Sequence, residues 1–266
     1  MDTAVAQLLR YTLRYAGHPA GEQRLSLEPR RDGLRLTLEA SVELPLPKTR
    51  QRWESEVDRQ GLPLRYRERV EGGGARLMEV EFSRQDGLVT VSQGKDEFAI
   101  PYLAQIYDPL SLILAVGELK LAVGEVEKFA LVGGRAYAER LPDQSVEVVA
   151  SGERVERNVR VYRLRPGLSL LYFDQEGYPV RLTQKVGEHV FEAELVQVQR
   201  LEAGQRLQSS EPDLKPSRRP SSQPDSSRGR AVAREPTKPR VVSGEPPKAR
   251  EGDSSSRRRR RRRRYS

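Results

Sequence analysis

The sequence predicts a mainly β protein. The expected fold is an antiparallel curved sheet, sandwich or barrel-like domain of about a dozen short strands, with one short buried helix near 109–116 and a disordered C-terminal tail. Three observations carry this. Apolar and polar residues alternate through most of residues 8–200, the period of strands with one buried face. Turn signals interrupt the alternation at Asp32-Gly33, Gly72 to Gly74 and Asp86-Gly87, at the spacing of hairpins. From about residue 206, Ser, Pro, Arg and Glu replace almost everything that could be buried.

The elements follow in chain order. In "LRYTLRYAG", Leu9, Tyr11, Leu13 and Tyr15 share one face and Arg10, Thr12 and Arg14 the other. "QRLSLEPRRDGLRLTLEA" gives two strands, with Leu25/Leu27 and Leu34/Leu36/Leu38 inward and Asp32-Gly33 supplying the positive-φ residues of a tight turn. "LRYRERVEGGGARLMEVEFSRQDGLVTVS" repeats the pattern twice. "YDPLSLILAVGEL" breaks it: Asp108 suits an N-cap, Pro109 the first helical position, and Leu110, Ile113 and Leu114 one helical face. Gly117 is placed to stop that helix in a left-handed conformation. Strands resume in "VEKFALVGGRAYAERL", "VEVVASGERVERNVRVYRL", "LSLLYFDQEGYPVRLTQKV" and "HVFEAELVQVQRL". The expected division is a β domain over 1–205 and a disordered tail over 206–266.

Charge divides the chain in the same place. Residues 209–266 hold 18 basic and 7 acidic residues, which leaves 29 and 31 for residues 1–208. The net charge of +9 therefore belongs to the tail, and a near-neutral body gives no reason to expect a nucleic-acid face on it. A segment so poor in apolar residues cannot offset an ordering entropy of about 1–2 kcal/mol per residue. It ends in eight consecutive arginines, Arg257, Arg258, Arg259, Arg260, Arg261, Arg262, Arg263 and Arg264. Guanidinium forks suit phosphate, so the expected partner of the run is nucleic acid or an anionic membrane, with Arg228, Arg230, Arg234 and Arg240 as auxiliaries. A tail without a selected partner is the plain alternative, and 39 arginines against 8 lysines across the chain fit a GC-rich genome.

Chemistry is sparse. With no cysteine, disulfides, cysteine-ligated zinc, iron–sulfur clusters and thiol catalysis are excluded. The two histidines, His18 in "AGHPAG" and His189 at a strand start, read as turn and hairpin residues. Nucleophile elbow, P-loop, zincin and dinucleotide motifs are absent. Glu54, Glu56 and Asp58 alternate with apolar residues, as do Glu79 and Glu81, the pattern of a solvated outer face. Trp53, Tyr11, Tyr15, Tyr66, Tyr162 and Tyr172 read singly as packing residues. Together they leave room for an apolar or lipid-like ligand inside a curved sheet. No catalytic residue, metal or cofactor is expected. The N-terminus lacks the basic and apolar regions of an export signal, so the chain as written reads as soluble and cytoplasmic.

Several motifs resemble a known family. "YAGHPAGEQRL", the helical Asp108-Pro109-Leu110-Ser111, "GGRAYAERL", and Gly177-Tyr178-Pro179-Val180-Arg181-Leu182 before "EAELV" occur in the order found in the bacterial domain of unknown function 3108 family. The resemblance covers about residues 8–200. It implies a β-rich domain without established catalytic residues and a place in the cell envelope, reached through an export signal upstream of Met1. Two functions are therefore carried forward. One is a non-enzymatic binding or scaffold protein tethered to a polyanion by its tail. The other is an envelope carrier of an apolar ligand.

Overall fold

The alternating segments pair with their chain neighbours. The structure is a computed structural model, and it describes residues 5–43, 48–72, 76–150, 153–167, 169–186 and 189–201, all within one compact unit, Met1–Ser209. A first meander comprises β1 (Gln7–Tyr15), β2 (His18–Arg30), β3 (Gly33–Val42), β4 (Thr49–Asp58), β5 (Pro63–Glu71), β6 (Arg76–Ser83), β7 (Leu88–Gln93) and β8 (Asp96–Pro101). The chain then makes β9 (Ile106–Tyr107) and helix α1 (Pro109–Gly117). A second meander follows: β10 (Val126–Leu131), β11 (Gly134–Ala150), β12 (Glu153–Arg165), β13 (Ser169–Phe173), β14 (Pro179–Val186) and β15 (His189–Arg200). All fifteen strands form one sheet, ordered β8 to β1, then β15 down to β9, so the meanders join where β1 pairs with β15. Among the described residues only β9 and β10 pair in parallel.

Of the three arrangements the sequence allows, the structure is a single open curved sheet, with fifteen strands among the described residues rather than about a dozen. The strands are also longer than expected, because Pro142-Asp143 does not end a strand. It is a register irregularity between Leu141 and Gln144, and β11 bends there and continues for 17 residues in all. Arg140 holds the bend: its guanidinium bonds the Leu141 carbonyl and Asp143 and lies 5.4 Å from the centre of the Tyr162 ring.

One face carries the core. Leu9, Leu13, Leu25, Leu27, Leu36, Tyr66, Val80 and Val91 are buried in a continuous apolar cluster. The outer face of the first meander carries charge in register. Glu28, Arg35, Glu56, Arg65 and Glu81 are direct cross-strand neighbours from β2 to β6, alternating in sign. Opposite charges facing each other stabilise a sheet by about 0.2–1 kcal/mol per pair. Glu54 bonds Arg52 at 2.7 Å and Glu79 bonds Arg67 at 2.7 Å. The Arg35 hydrogen bond holds the Glu56 carboxyl below its ordinary range, against a smaller opposing effect of burial.

Two turn readings shift by a residue. The β2–β3 loop is Arg31 and Asp32, while Gly33 already pairs with Arg30. Its φ is 158°, and any Cβ there would run into the Val57 carbonyl, so glycine is required by the close approach of β4 rather than by the turn. The β1–β2 turn is Ala16-Gly17, and His18 opens β2 opposite Tyr15.

The helix fixes the curvature. Asp108 caps it, accepting from the Leu110 and Ser111 amides at 2.8 and 3.0 Å, while the Asp108 amide donates to the Ser111 hydroxyl at 3.0 Å. This is a capping box with serine in place of the usual Glu or Gln. The Ser55 hydroxyl of β4 donates to the same carboxylate at 2.6 Å. At the other end, Arg160 of β12 donates to the Gly117 and Leu119 carbonyls at 3.0 and 3.1 Å, and the Tyr162 hydroxyl to Leu119 at 2.8 Å. These donors satisfy carbonyls that a helix end leaves unpaired and set a positive charge at the negative end of its dipole. In the sheet β4 and β12 are seven strands apart, which is about 34 Å if flat. A helix of nine residues is about 14 Å long, so the sheet must curl to let one helix touch both.

Two helix assignments are corrected. Gly117 does not take a left-handed conformation. It is the last helical residue, Glu118 follows as a right-handed C-cap, and a Cβ on Gly117 would lie 2.9 Å from the Phe173 ring. Its role is space. The buried helical face is Leu110, Leu112 and Val116, with Ser111 turned to the cap, while Ile113 and Leu114 are half-buried.

Candidate functional site

A cleft of about 850 Å³ opens beside the C-terminal half of α1. Its floor is apolar: Leu34, Val57, Leu114, Ala115 and Phe129. Its rim is charged, with Arg59, Glu118, Glu127 and Lys128. Seven segments build it: the end of β2, the start of β3, the end of β4 with its turn, the 104–105 loop, β9, α1 with its exit, and β10.

Each wall has a local cause. The β4–β5 turn is shaped by Asp58, whose carboxylate accepts from the Gln60 and Leu62 amides at 2.8 and 3.0 Å and from Arg84 at 2.7 Å. Burial disfavours the charged carboxyl, but these bonds outweigh it and hold Asp58 below its ordinary pKa. Asp58 therefore holds a turn at the cleft rim, unlike Glu54 and Glu56 on the same strand. Across the cleft, Tyr107 meets Phe129 edge-to-face, with ring centres 5.3 Å apart. Burial raises the Tyr107 phenol above its ordinary range.

The other aromatic candidates lie in the core. Tyr11, Tyr66, Tyr162 and Tyr172 are buried. Tyr11 donates to the Pro179 carbonyl at 2.9 Å, and burial raises its phenol. Trp53 is half-buried and packs on the core. Tyr15 and His189 meet at the ends of β1 and β15, with hydroxyl and Nδ1 3.0 Å apart. Asp108, Pro109, Leu110 and Ser111 make up the helix start described above, with Asp108 fully buried. Burial raises its carboxyl, and the bonds from Ser55, Ser111 and Leu110 oppose that rise.

The polyarginine run Arg257 to Arg264 and the auxiliary arginines lie outside the described residues. Among the described residues no group of three or more acidic or histidine side chains is placed to hold a metal ion. No helix among them is long and apolar enough to cross a membrane. Sequence reasoning did not find the cleft. Its lining residues are ordinary strand and turn residues brought together only by the curl of the sheet, and the one local signal is the Asp58–Gly61 turn.

A family model matches most of the chain. The model, described as "Protein of unknown function (DUF3108)", aligns with residues 10–194. The chain belongs to the DUF3108 family. The match runs from within β1 to within β15, so the family domain takes in both meanders and α1. Among solved structures, this DUF3108 protein is similar to a beta-barrel-like protein of domain of unknown function DUF1849 from Brucella abortus. That alignment has 12% identity and a TM-score of 0.48, covering 75% of this chain and 99% of the other. No curated protein matches.

Proposed function

We propose that this DUF3108 domain is a non-enzymatic binding module that takes an amphipathic ligand in the cleft beside α1. The observation that carries this is the pairing of an apolar floor with a charged rim, in a volume of about 850 Å³ within the range of small-molecule sites. The carrier reading placed the ligand deep inside the sheet. There α1 already lies against β3 and β4, with Gly117 against Phe173, so the ligand belongs at the rim. Its apolar part lies over Leu114 and Phe129, and its polar end meets Lys128 and Arg59.

The test is a titration of the full chain with a fluorescent fatty-acid probe. Saturable binding, weakened about tenfold or more by Ala115→Trp, supports the reading. Equal binding by the substituted and unsubstituted chains overturns it.

A second reading rests on the eight arginines of the tail. We propose that they tether the domain to a polyanion, nucleic acid or an anionic membrane. Neutralising eight phosphates of a DNA duplex gives a salt slope near −7, whereas an anionic membrane gains about 1 kcal/mol per basic residue. Equal affinity of the full chain and of residues 1–208 for both polyanions at low salt sinks this reading. Selective binding to one of them identifies that polyanion as the partner of the tail.

A further inference from the structure

A second cleft, of about 330 Å³, lies among β1, β11, β12, β14 and β15, at the margin of the apolar core to which Val148, Val180 and Leu195 belong. It exists because β11 bends at Pro142-Asp143. The far half of the β11–β12 hairpin then folds back over β14, β15 and β1, burying Val148 and Val180 between them. Arg157 ties the hairpin down with a 2.6 Å bond to Asp174, which is 3% exposed.

Three arginines from distant segments line this cleft: Arg14 of β1, Arg154 of β12 and Arg181 of β14. Two carboxylates face them there, Glu194 and Glu147. Glu194 is shared, bonded by Arg14 at 2.8 Å and by Arg181 at 3.2 Å. Glu147 meets Arg154 at 3.4 Å, and both side chains are largely exposed. Glu192 lies opposite Arg14 in the register of β15 and is exposed. Arg14 also donates to the Gly17 carbonyl at 3.0 Å, so it is the most committed of the three.

Arg181 and Arg154 keep most of their N–H donors for a ligand. Arg181 is held in place, its guanidinium 5.8 Å from the centre of the Tyr172 ring. Thr12 of β1 flanks Glu194 on the other side, because Thr12 and Arg181 are both cross-strand neighbours of Glu194. Guanidinium forks held on a rigid sheet bind tetrahedral oxyanions through paired N–H donors. The walls Val148, Val180 and Leu195 leave room for a short carbon skeleton.

We infer that this cleft is a binding site for the phosphoryl group of a small phosphomonoester or of a phospholipid head, gripped by Arg154 and Arg181 with Thr12. The site is separate from the cleft beside α1 and does not depend on the function proposed for it. Glu194 acts as an internal competitor, occupying the donors that the phosphoryl group would use.

The experiment is calorimetric titration of the full chain with glycerol 3-phosphate at fixed salt. A parallel arm measures sedimentation with phosphatidic acid vesicles against phosphatidylcholine vesicles. The tail contributes the same background to every variant, so the comparison is between substitutions in the domain. Arg154→Gln and Arg181→Gln are expected to weaken phosphoryl binding about tenfold each, and Glu194→Gln to tighten it. Arg154 is exposed enough that its loss leaves the fold intact, and circular dichroism checks this for all three. Binding in the soluble arm alone assigns a free phosphomonoester, and binding in the vesicle arm alone a lipid head. Identical affinities for the parent and all three variants in both arms overturn the inference.

Discussion

The two meanders reach stability by different means. In the first, β1 to β8, one face carries the core and the other a lattice of exposed ion pairs. In the second, β10 to β15, several strands are buried on both faces: Val161 and Tyr162 are adjacent on β12 and both have 0% exposure. There, besides exposed pairs such as Arg165 on Glu139, single arginines hold particular buried points: Arg140 under the β11 bend, Arg157 on Asp174, and Arg160 on the Gly117 carbonyl. A face open to water tolerates many weak, replaceable pairs, whereas a closed one needs each polar group satisfied individually. Helix α1 belongs to both regimes, since its N-terminus is bound by Ser55 of the first meander and its C-terminus by Arg160 of the second.

The largest effect is expected where the helix is bound to the first meander. Asp108→Ala removes the cap and leaves the Ser55 hydroxyl and two amides unpaired, a loss of about 3–4 kcal/mol in urea unfolding. Asp108→Asn keeps the acceptor and removes the buried charge, so it sharpens the comparison through pH. The folded-state pKa of Asp108 is raised, so the stability contributed by its protonated form is present below the unfolded value of about 4. That contribution is lost as pH rises through the folded value. Asp108→Asn should therefore match or exceed the parent at pH 7 and show less loss on going up from acid pH. An Asn variant as unstable as the Ala variant at pH 7 would break this account.

At the second attachment, Arg160→Leu strands the Gly117 carbonyl and leaves the Leu119 carbonyl to Tyr162 alone, and is expected to cost about 1–3 kcal/mol by the same measurement. Gly117→Ala pushes a methyl into the Phe173 ring and is expected to cost about 1–3 kcal/mol, part of which a Phe173→Leu background should restore. The outer lattice of the first meander supplies the smallest effect. Arg35→Met is expected to cost under about 1 kcal/mol, shrinking further at high salt. Glu56 is lowered, so what that pair contributes is present above the unfolded carboxylate pKa and lost as pH falls through the folded one. A cost for Arg35→Met equal to that for Arg160→Leu would erase the distinction between the meanders.

The same contrast explains what the sequence made legible. Strict alternation in β1 and β3 places their core residues without ambiguity, because one face of each is wet. The Asp108-Pro109 start of α1 is readable because capping chemistry is local. The bend at Pro142-Asp143 was not legible as a bend, since proline and aspartate signal a strand end equally well. The role of Gly117 was misread for a similar reason: glycine after a helix suggests a left-handed stop, and only the position of Phe173, far along the chain, shows that the need is for space. Both clefts join residues from distant segments, and apart from the Asp58–Gly61 turn their local spacing carries no trace of the meeting.

The seam between the meanders has one more consequence. Because β1 and β15 lie side by side in mid-sheet, and the Leu201 amide donates to the Ala6 carbonyl at 2.8 Å, the two ends of the domain leave it together. Their pairing, Gln7 with Arg200, closes nearly the longest loop the domain contains, which makes it the contact dearest in chain entropy and slow to form. A circular permutant that joins residues 6 and 201 through a short linker and opens the chain between the two sheet edges β8 and β9, at the exposed Leu103, would keep every strand neighbour. It would also convert that distant pairing into a local hairpin, and so fold faster than the natural chain order.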